Sequence, residues 1–273
     1  VLKAISDEVS LEFVCTDKGS ENIRQRVNQL KIPLFVGNPR EGRAIKALGK
    51  LKIDVLLSVN YLFLVDQDLI DLAGIAAINF HGSLLPRYRG RTPHVWAIIN
   101  GEEMSGITAH RIVQECDAGD ILLQRSVLIE PDDSGASILA KFKTIYPDMI
   151  RDVIGLLQTG ASFVSQDHSL ASFYGKRMPE DGRISWSWHR FRIRNWVRAQ
   201  TPPYPGAFSD CDGQRVRIDW VRLSSMGFSG ADADGLVLAV MEESFFVKAP
   251  DGVLEITRFA DPQNVVIEGK ILS

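Results

Sequence analysis

Asp54-Val55-Leu56-Leu57-Ser58-Val59-Asn60 and Ala76-Ala77-Ile78-Asn79-Phe80-His81 are the two stretches on which the fold class turns. The first is a continuous apolar run, the pattern of a strand covered on both faces in a parallel sheet. The second is a shorter run of the same kind, and residues 66–73 between them read as a short helix, which together make a βαβ unit. Toward the N-terminus, residues 9–16 alternate Val9, Leu11, Phe13 and Cys15 as a strand does, and residues 20–30 set Ile23, Val27 and Leu30 on one helical face behind Ser20 as N-cap. Residues 33–37 read as a short strand and 41–51 return to helical spacing through Ile45, Leu48 and Leu51. Toward the C-terminus, residues 106–113 and 121–130 add strands. Residues 133–160 form a long helix capped at Asp133 or Ser134, stopped by Gly160 and kinked or restarted at Pro147.

After Gly160 the texture changes. One amphipathic helix at 189–200 precedes five β-like stretches, 214–223, 236–240, 244–249, 253–259 and 265–271, with Asp251-Gly252 as a hairpin turn. The expected fold class is α/β: a Rossmann-like, mostly parallel sheet followed by a small C-terminal β-rich domain of OB-like type. The domains are expected at 1–165 and 183–273, with a linker at 166–182. A doubly wound sheet opens on a central strand and a glycine-containing turn, whereas this sequence opens where the following helix would end; a first strand is expected to precede it.

Composition excludes several classes of protein. Of 273 residues 45% are hydrophobic and 24% charged, as in globular proteins, and the formal charge is −3. Residues 181–273 carry 11 Lys/Arg against 12 Asp/Glu, so no basic domain hides in the last third; nucleic acid is not an expected partner. Cys15, Cys116 and Cys211 are widely spaced and free of CxxC pairs, which fits a reducing compartment. No apolar run reaches the roughly 18–20 residues that span a membrane, and the expected location is cytoplasmic. His94, His110, His168 and His189 have no partner at metal-ligand spacing, so no metal site is expected. Arg190, Arg192, Arg194 and Arg198 read as a solvated surface, Trp186 and Trp188 as packing against the first domain.

Chemistry concentrates in Asn79-Phe80-His81-Gly82-Ser83-Leu84-Leu85-Pro86-Arg87-Tyr88-Arg89-Gly90. Asn79 and His81 share one face of a strand and stand at its carboxyl end, where open α/β sheets bind ligands. A second polar loop, Gln114-Glu115-Cys116-Asp117-Ala118-Gly119-Asp120, presents a carboxylate. Amide, imidazole and carboxylate suit acyl transfer to an amine, as oxyanion donor, proton acceptor and orienting charge. Asn-x-His at a strand end also arises by chance, so the residues alone leave a structural role open. Ser83 is expected to shape its loop through the backbone, and Cys116 to be a small loop or core side chain.

These two loops resemble the motifs of formyltransferases that use N10-formyltetrahydrofolate. Tyr174-Gly175-Lys176-Arg177, Asp181-Gly182 and Tyr204-Pro205-Gly206-Ala207-Phe208 resemble the linker and C-terminal domain of the members that act on methionyl-tRNA and on amino sugars linked to nucleotides. The resemblance implies that Asn79 holds the formyl oxygen, His81 acts as general base and Asp117 positions it. It implies that Phe63, Leu64 and Val65, with Val113, Gln114, Glu115 and Cys116, embrace the pterin of the formyl donor. Tyr174, Lys176 and Arg177 are the expected substrate contacts. The charge balance favours a nucleotide-linked amino sugar, such as a dTDP- or UDP-amino-deoxy sugar used for cell-surface polysaccharide (lipopolysaccharide O-antigen) synthesis. The alternatives are methionyl-tRNA as acceptor, hydrolysis of the formyl folate, and non-catalytic folate or nucleotide binding. A homodimer is among the assemblies the resemblance allows.

Overall fold

A computed structural model describes residues 5, 7–49, 51–261 and 264–273. The chain divides into two compact units: Val1–Arg89, Gly106–Ser126 and Phe142–Phe173 form the first, and Gly90–Ser105, Val127–Lys141 and Tyr174–Ser273 the second.

In the first unit β1 (Val14–Thr16) and β2 (Leu34–Val36) form a parallel pair joined through helix α1 (Glu21–Gln29). Helix α2 (Arg43–Leu48) leads to β3 (Ile53–Val59), and helix α3 (Gln67–Ile70) to β4 (Ala73–His81). β3 and β4 run parallel, with Ser58 opposite Asn79 and Val59 opposite Phe80. This is the βαβ unit that the two apolar runs predict. After a short β5 (Arg89–Gly90), helix α4 (Pro93–Ile99) belongs to the second unit, and β6 (Met104–Arg111) and β7 (Ile121–Leu128) then complete a sheet of order β3-β4-β6-β7. β6 lies antiparallel to β4, so the sheet is mixed where it carries the conspicuous residues.

Helix α5 (Gly135–Gln158) continues as one element through Pro147, so the helix does not restart there. Ile138, Phe142, Tyr146, Met149, Val153 and Leu157 are all buried, an apolar stripe that continues on both sides of the proline. The carbonyl that Pro147 leaves without its helical partner belongs to exposed Lys143, where water can serve it. The expected strand over residues 9–16 shortens to β1.

In the second unit, β8 (Phe173–Tyr174), which begins at the end of the first, is followed by helix α6 (Arg190–Ala199) and an antiparallel sheet. The sheet consists of β9 (Ala207–Cys211), β10 (Gln214–Ser224), β11 (Val237–Val240), β12 (Phe245–Ala249) and β13 (Gly252–Ala260), in the order β11-β12-β13-β10-β9. Ile193 and Val197 of α6 pack with Val216, Val247 and Ile256 of the sheet in one buried cluster. The predicted hairpin exists, but Ala249 pairs with Gly252, so Pro250 and Asp251 are the turn and Gly252 already belongs to β13. Residues 265–271 form no strand. The Asp261 carboxylate accepts the N–H groups of Val265 and Val266 at 3.1 and 2.9 Å, which ties that backbone to a side chain.

Of the arginines expected on a solvated surface, Arg192 is exposed, whereas Arg194 and Arg198 are engaged by the chain. Arg198 is buried and donates to the Asp133 and Glu130 carbonyls at 2.6 and 3.3 Å; burial brings its pKa down to about 10. Arg194 donates to Pro131 O and to the Asp132 carboxylate. Trp186 lies in the C-terminal core, its indole N–H donating to Ser209 Oγ at 2.9 Å. Among the described residues no helix is long and apolar enough to cross a membrane.

Ile256 is fully buried in β13, within the C-terminal core cluster. Ile256→Ala is expected to cost about 2–5 kcal/mol of folding stability, read as a lowered midpoint in chemical denaturation.

Candidate active site

The β4 strand buries Ala76, Ala77, Ile78 and Phe80, which brings Asn79 and His81 to its carboxyl end. His81 is 6% exposed. Its Nε2 lies 2.7 Å from the Tyr88 carbonyl. A carbonyl only accepts, so the ring proton sits on Nε2 and the lone pair of the neutral imidazole is on Nδ1. That Nδ1 faces Asp117 Oδ1 at 3.5 Å. Burial pulls the imidazole pKa below its ordinary value; the nearby Asp117 charge opposes this, while His110 and Arg89 add to it. A neutral imidazole with a free Nδ1 beside a carboxylate is equipped to accept a proton and keep it.

β6 adds a residue that the spacing argument set aside. Its antiparallel register puts His110 directly opposite Asn79. Asn79 Nδ2 donates to His110 Nε2 at 3.2 Å, and His110 Nδ1 donates to the Arg111 carbonyl at 2.8 Å. Asn79 Nδ2 also lies 3.5 Å from Asp117 Oδ1, and His110 Nε2 3.6 Å from the same oxygen. No metal-like spacing flags His110; only strand pairing brings it here.

Asp117 reaches this cluster from a strained loop. Its φ is +54°, in the left-handed region that most residues avoid. At Gly119 a Cβ would collide with the Arg111 carbonyl, so a glycine is needed where the loop presses against the end of β6. The exposed Cys116 thiol donates to Asp117 Oδ2 at 3.3 Å, so Cys116 is a loop side chain and not part of the core. Ser83 Oγ donates to the Arg87 carbonyl at 2.7 Å, the loop-shaping role expected of it.

The residues expected around a pterin occupy loops. Phe63, Leu64 and Val65 follow β3; Val113, Gln114, Glu115 and Cys116 follow β6. Leu64 and Val113 expose apolar side chains, while Phe63 packs edge-on against Tyr61 and lines a cavity of about 530 Å³ with Asp17, Lys18, Phe35, Arg43 and Leu62. Tyr174, Lys176 and Arg177 belong to the second unit. Tyr174 tilts against Trp96 at 5.0 Å, and its hydroxyl accepts from Asn100 Nδ2 at 2.8 Å. The Arg177 guanidinium lies over Trp96 at 5.1 Å and Trp196 at 4.3 Å and donates to Asp181 O and Gln200 Oε1. Both side chains therefore brace the second unit, and Lys176 is exposed. Among the described residues no cluster of His, Cys, Asp and Glu is placed to hold a metal ion.

Residues 3–154 match the formyl transferase family and residues 176–270 the formyl transferase C-terminal domain. The chain belongs to the formyl transferase family. Its fold is similar to that of a HypX variant from Aquifex aeolicus, at 18% identity and a TM-score of 0.65, covering 93% of this chain and 46% of HypX; this chain thus spans under half of HypX. It is also similar to the N-formyltransferase from Helicobacter canadensis in complex with folinic acid and dTDP-3-aminofucose, at 16% identity and a TM-score of 0.63, covering 92% and 100% of the two chains. Methionyl-tRNA formyltransferase from Clostridium thermocellum matches at 20% identity and a TM-score of 0.59, over 79% and 94%.

Because the folded state holds His81 below its ordinary pKa, the unfolded chain binds its proton more readily. The stability that the neutral ring contributes is full above about pH 6.5 and is lost as the pH falls toward the depressed folded value. The stability gap between wild type and His81→Asn is expected to narrow between pH 7.5 and 5.5 in urea titrations, with wild type the steeper of the two.

Proposed function

We propose that this chain transfers the formyl group of N10-formyltetrahydrofolate to the primary amine of a nucleotide-linked amino sugar. The convergence of Asn79 and His81 on one oxygen of Asp117, each at 3.5 Å, is the observation that carries this reading. The amine nitrogen bonds to the formyl carbon, the bond from that carbon to N10 breaks, the amine loses one proton and N10 gains one. His81 Nδ1 is the acceptor for the amine proton, since Nε2 is committed to the Tyr88 carbonyl. The imidazolium that results lies against the Asp117 carboxylate. Asn79 donates to the oxygen that gains charge as the amine adds, and its long contact with Asp117 Oδ1 is the one it can give up to do so.

The loops fit a flat heteroaromatic donor. Leu64 and Val113 offer exposed apolar side chains, and residues 63–65 and 113–116 keep their backbone outside the strand ladders, where it can pair with a donor–acceptor edge. The choice of acceptor rests on charge. A net of −3 over the chain and −1 over residues 181–273 suits a small substrate better than the many phosphates of a tRNA. The Helicobacter canadensis protein, bound to dTDP-3-aminofucose and matched over nearly the whole of both chains, supports the same choice. Its product would serve cell-surface polysaccharide synthesis.

Purified protein incubated with N10-formyltetrahydrofolate and dTDP-3-aminofucose, a UDP-linked amino sugar or charged initiator tRNA is expected to yield formylated nucleotide sugar by mass spectrometry. Product from tRNA alone refutes the acceptor, equal donor consumption without any acceptor marks a hydrolase, and no consumption at all refutes formyl transfer.

Asn79→Ala is expected to lower kcat by roughly 10²–10³ while donor affinity stays within a few-fold, because the lost donor acts on charge that exists only in the transition state. Loss of donor binding with normal residual turnover would make Asn79 a binding residue.

A further inference from the structure

The segment expected to be a linker carries a buried glutamine that the mechanism above does not use. Gln166 is 6% exposed, and its carboxamide is fully engaged. Nε2 donates to the Asp117 carbonyl at 2.9 Å and to the Gly119 carbonyl at 2.7 Å. Oε1 accepts from the Arg89 guanidinium at 2.7 Å. Arg89 is itself 1% exposed and donates also to His168 Nδ1 at 2.9 Å. Arg89 directly follows Tyr88, whose carbonyl holds His81 Nε2. Six residues after Gln166, Ser172 closes the other side: its Oγ accepts the Tyr88 N–H at 2.9 Å and its carbonyl the Arg89 N–H at 2.8 Å.

We propose that Gln166, backed by Arg89, is a positioning residue that clamps the strained Asp117 loop so that its carboxylate stays against His81 Nδ1. The proposal rests on the reading of Asn79, His81 and Asp117 given above. Asp117 is held in a left-handed conformation, which needs something to over-determine it. Two backbone carbonyls of that loop point at one carboxamide, which donates to both while its oxygen accepts from Arg89, a combination no cationic side chain provides. The same side chain is tied through Arg89 to the turn that anchors the other nitrogen of His81. The clamp therefore sets the separation between the two groups that hold the imidazole.

The test is an imidazole ¹⁵N titration of His81 in the free protein, assigned by the signal lost in His81→Asn, which needs no knowledge of the acceptor. The charged groups facing His81 are Asp117, which raises its pKa, and His110 and Arg89, which lower it. Gln166→Met keeps bulk and adds no charge, but cannot donate. It is expected to move the His81 midpoint downward when residue 117 is Asp, and to leave it in place in an Asp117→Asn background. With N10-formyltetrahydrofolate and dTDP-3-aminofucose, kcat is expected to fall on the order of ten- to a hundredfold with little change in the donor KM. An unchanged midpoint overturns the proposal. So does an equal shift in both backgrounds, because the effect of Gln166 would then not run through the Asp117 carboxylate. Should Gln166→Met not fold, Gln166→Asn, which keeps the amide but not its reach, is judged by the same criteria; failure of both to fold makes Gln166 a folding residue and overturns the proposal. Absence of formyl transfer to every acceptor refutes the earlier reading while leaving the titration readable.

Discussion

One carboxylate oxygen organises the polar end of the mixed sheet. Asp117 Oδ1 lies 3.5 Å from His81 Nδ1, 3.5 Å from Asn79 Nδ2 and 3.6 Å from His110 Nε2. A largely buried carboxylate is costly unless polar hydrogens surround it. Here the Asn79 amide donates toward Oδ1 and the Cys116 thiol toward the second oxygen, while neutral His81 turns the lone pair of Nδ1 to Oδ1, where a proton taken up by the ring would meet the charge. Remove that charge and three side chains lose their common partner; the Tyr88 carbonyl would still fix the His81 proton on Nε2, but nothing would face Nδ1.

The change of strand direction inside the first unit makes this convergence possible. A parallel β3–β4 pair delivers Asn79 and His81 at a carboxyl end, as α/β sheets do. The antiparallel β4–β6 pair then places His110 opposite Asn79 and leaves the chain to fold back through the loop that carries Asp117. That return is tight enough to require Gly119 and to hold Asp117 at positive φ. The backbone is therefore committed to this geometry before any ligand arrives, which is what a site that stabilises transient charge needs.

The second unit shows how poorly residue type predicts environment for long amphipathic side chains. Arg177 lies over two indoles and Arg198 donates to buried carbonyls, so both cations brace the unit. Guanidinium groups can be buried this way because they are planar and weakly hydrated, and their N–H fork reaches several carbonyls at once. In a linear sequence the same residues are indistinguishable from a solvated face.

Local pattern settled a good part of the structure. The apolar runs at 54–60 and 76–81 predict β3 and β4 because short uninterrupted apolar stretches favour strands, although β3 is only half-buried, and the period of residues 189–200 predicts α6. Asn79 and His81 were legible as a pair because a strand repeats every second residue. Helix Pro93–Ile99 escaped notice because six of its seven residues are buried, which erases the polar face that marks an amphipathic helix. Residues 265–271 look like a strand, yet Val265 and Val266 are held by the Asp261 carboxylate, a contact that propensity does not encode. His110 and Gln166 were invisible for a deeper reason. Their partners lie 31 and 49 residues away along the chain, and nothing in their immediate neighbours says which strands will pair or which carbonyls a loop will leave turned inward. Sequence alone determines which residues can accept a proton or donate to an oxyanion; tertiary structure decides which of them share a carboxylate, because hydrogen bonds act over about 3 Å and only folding closes the distance.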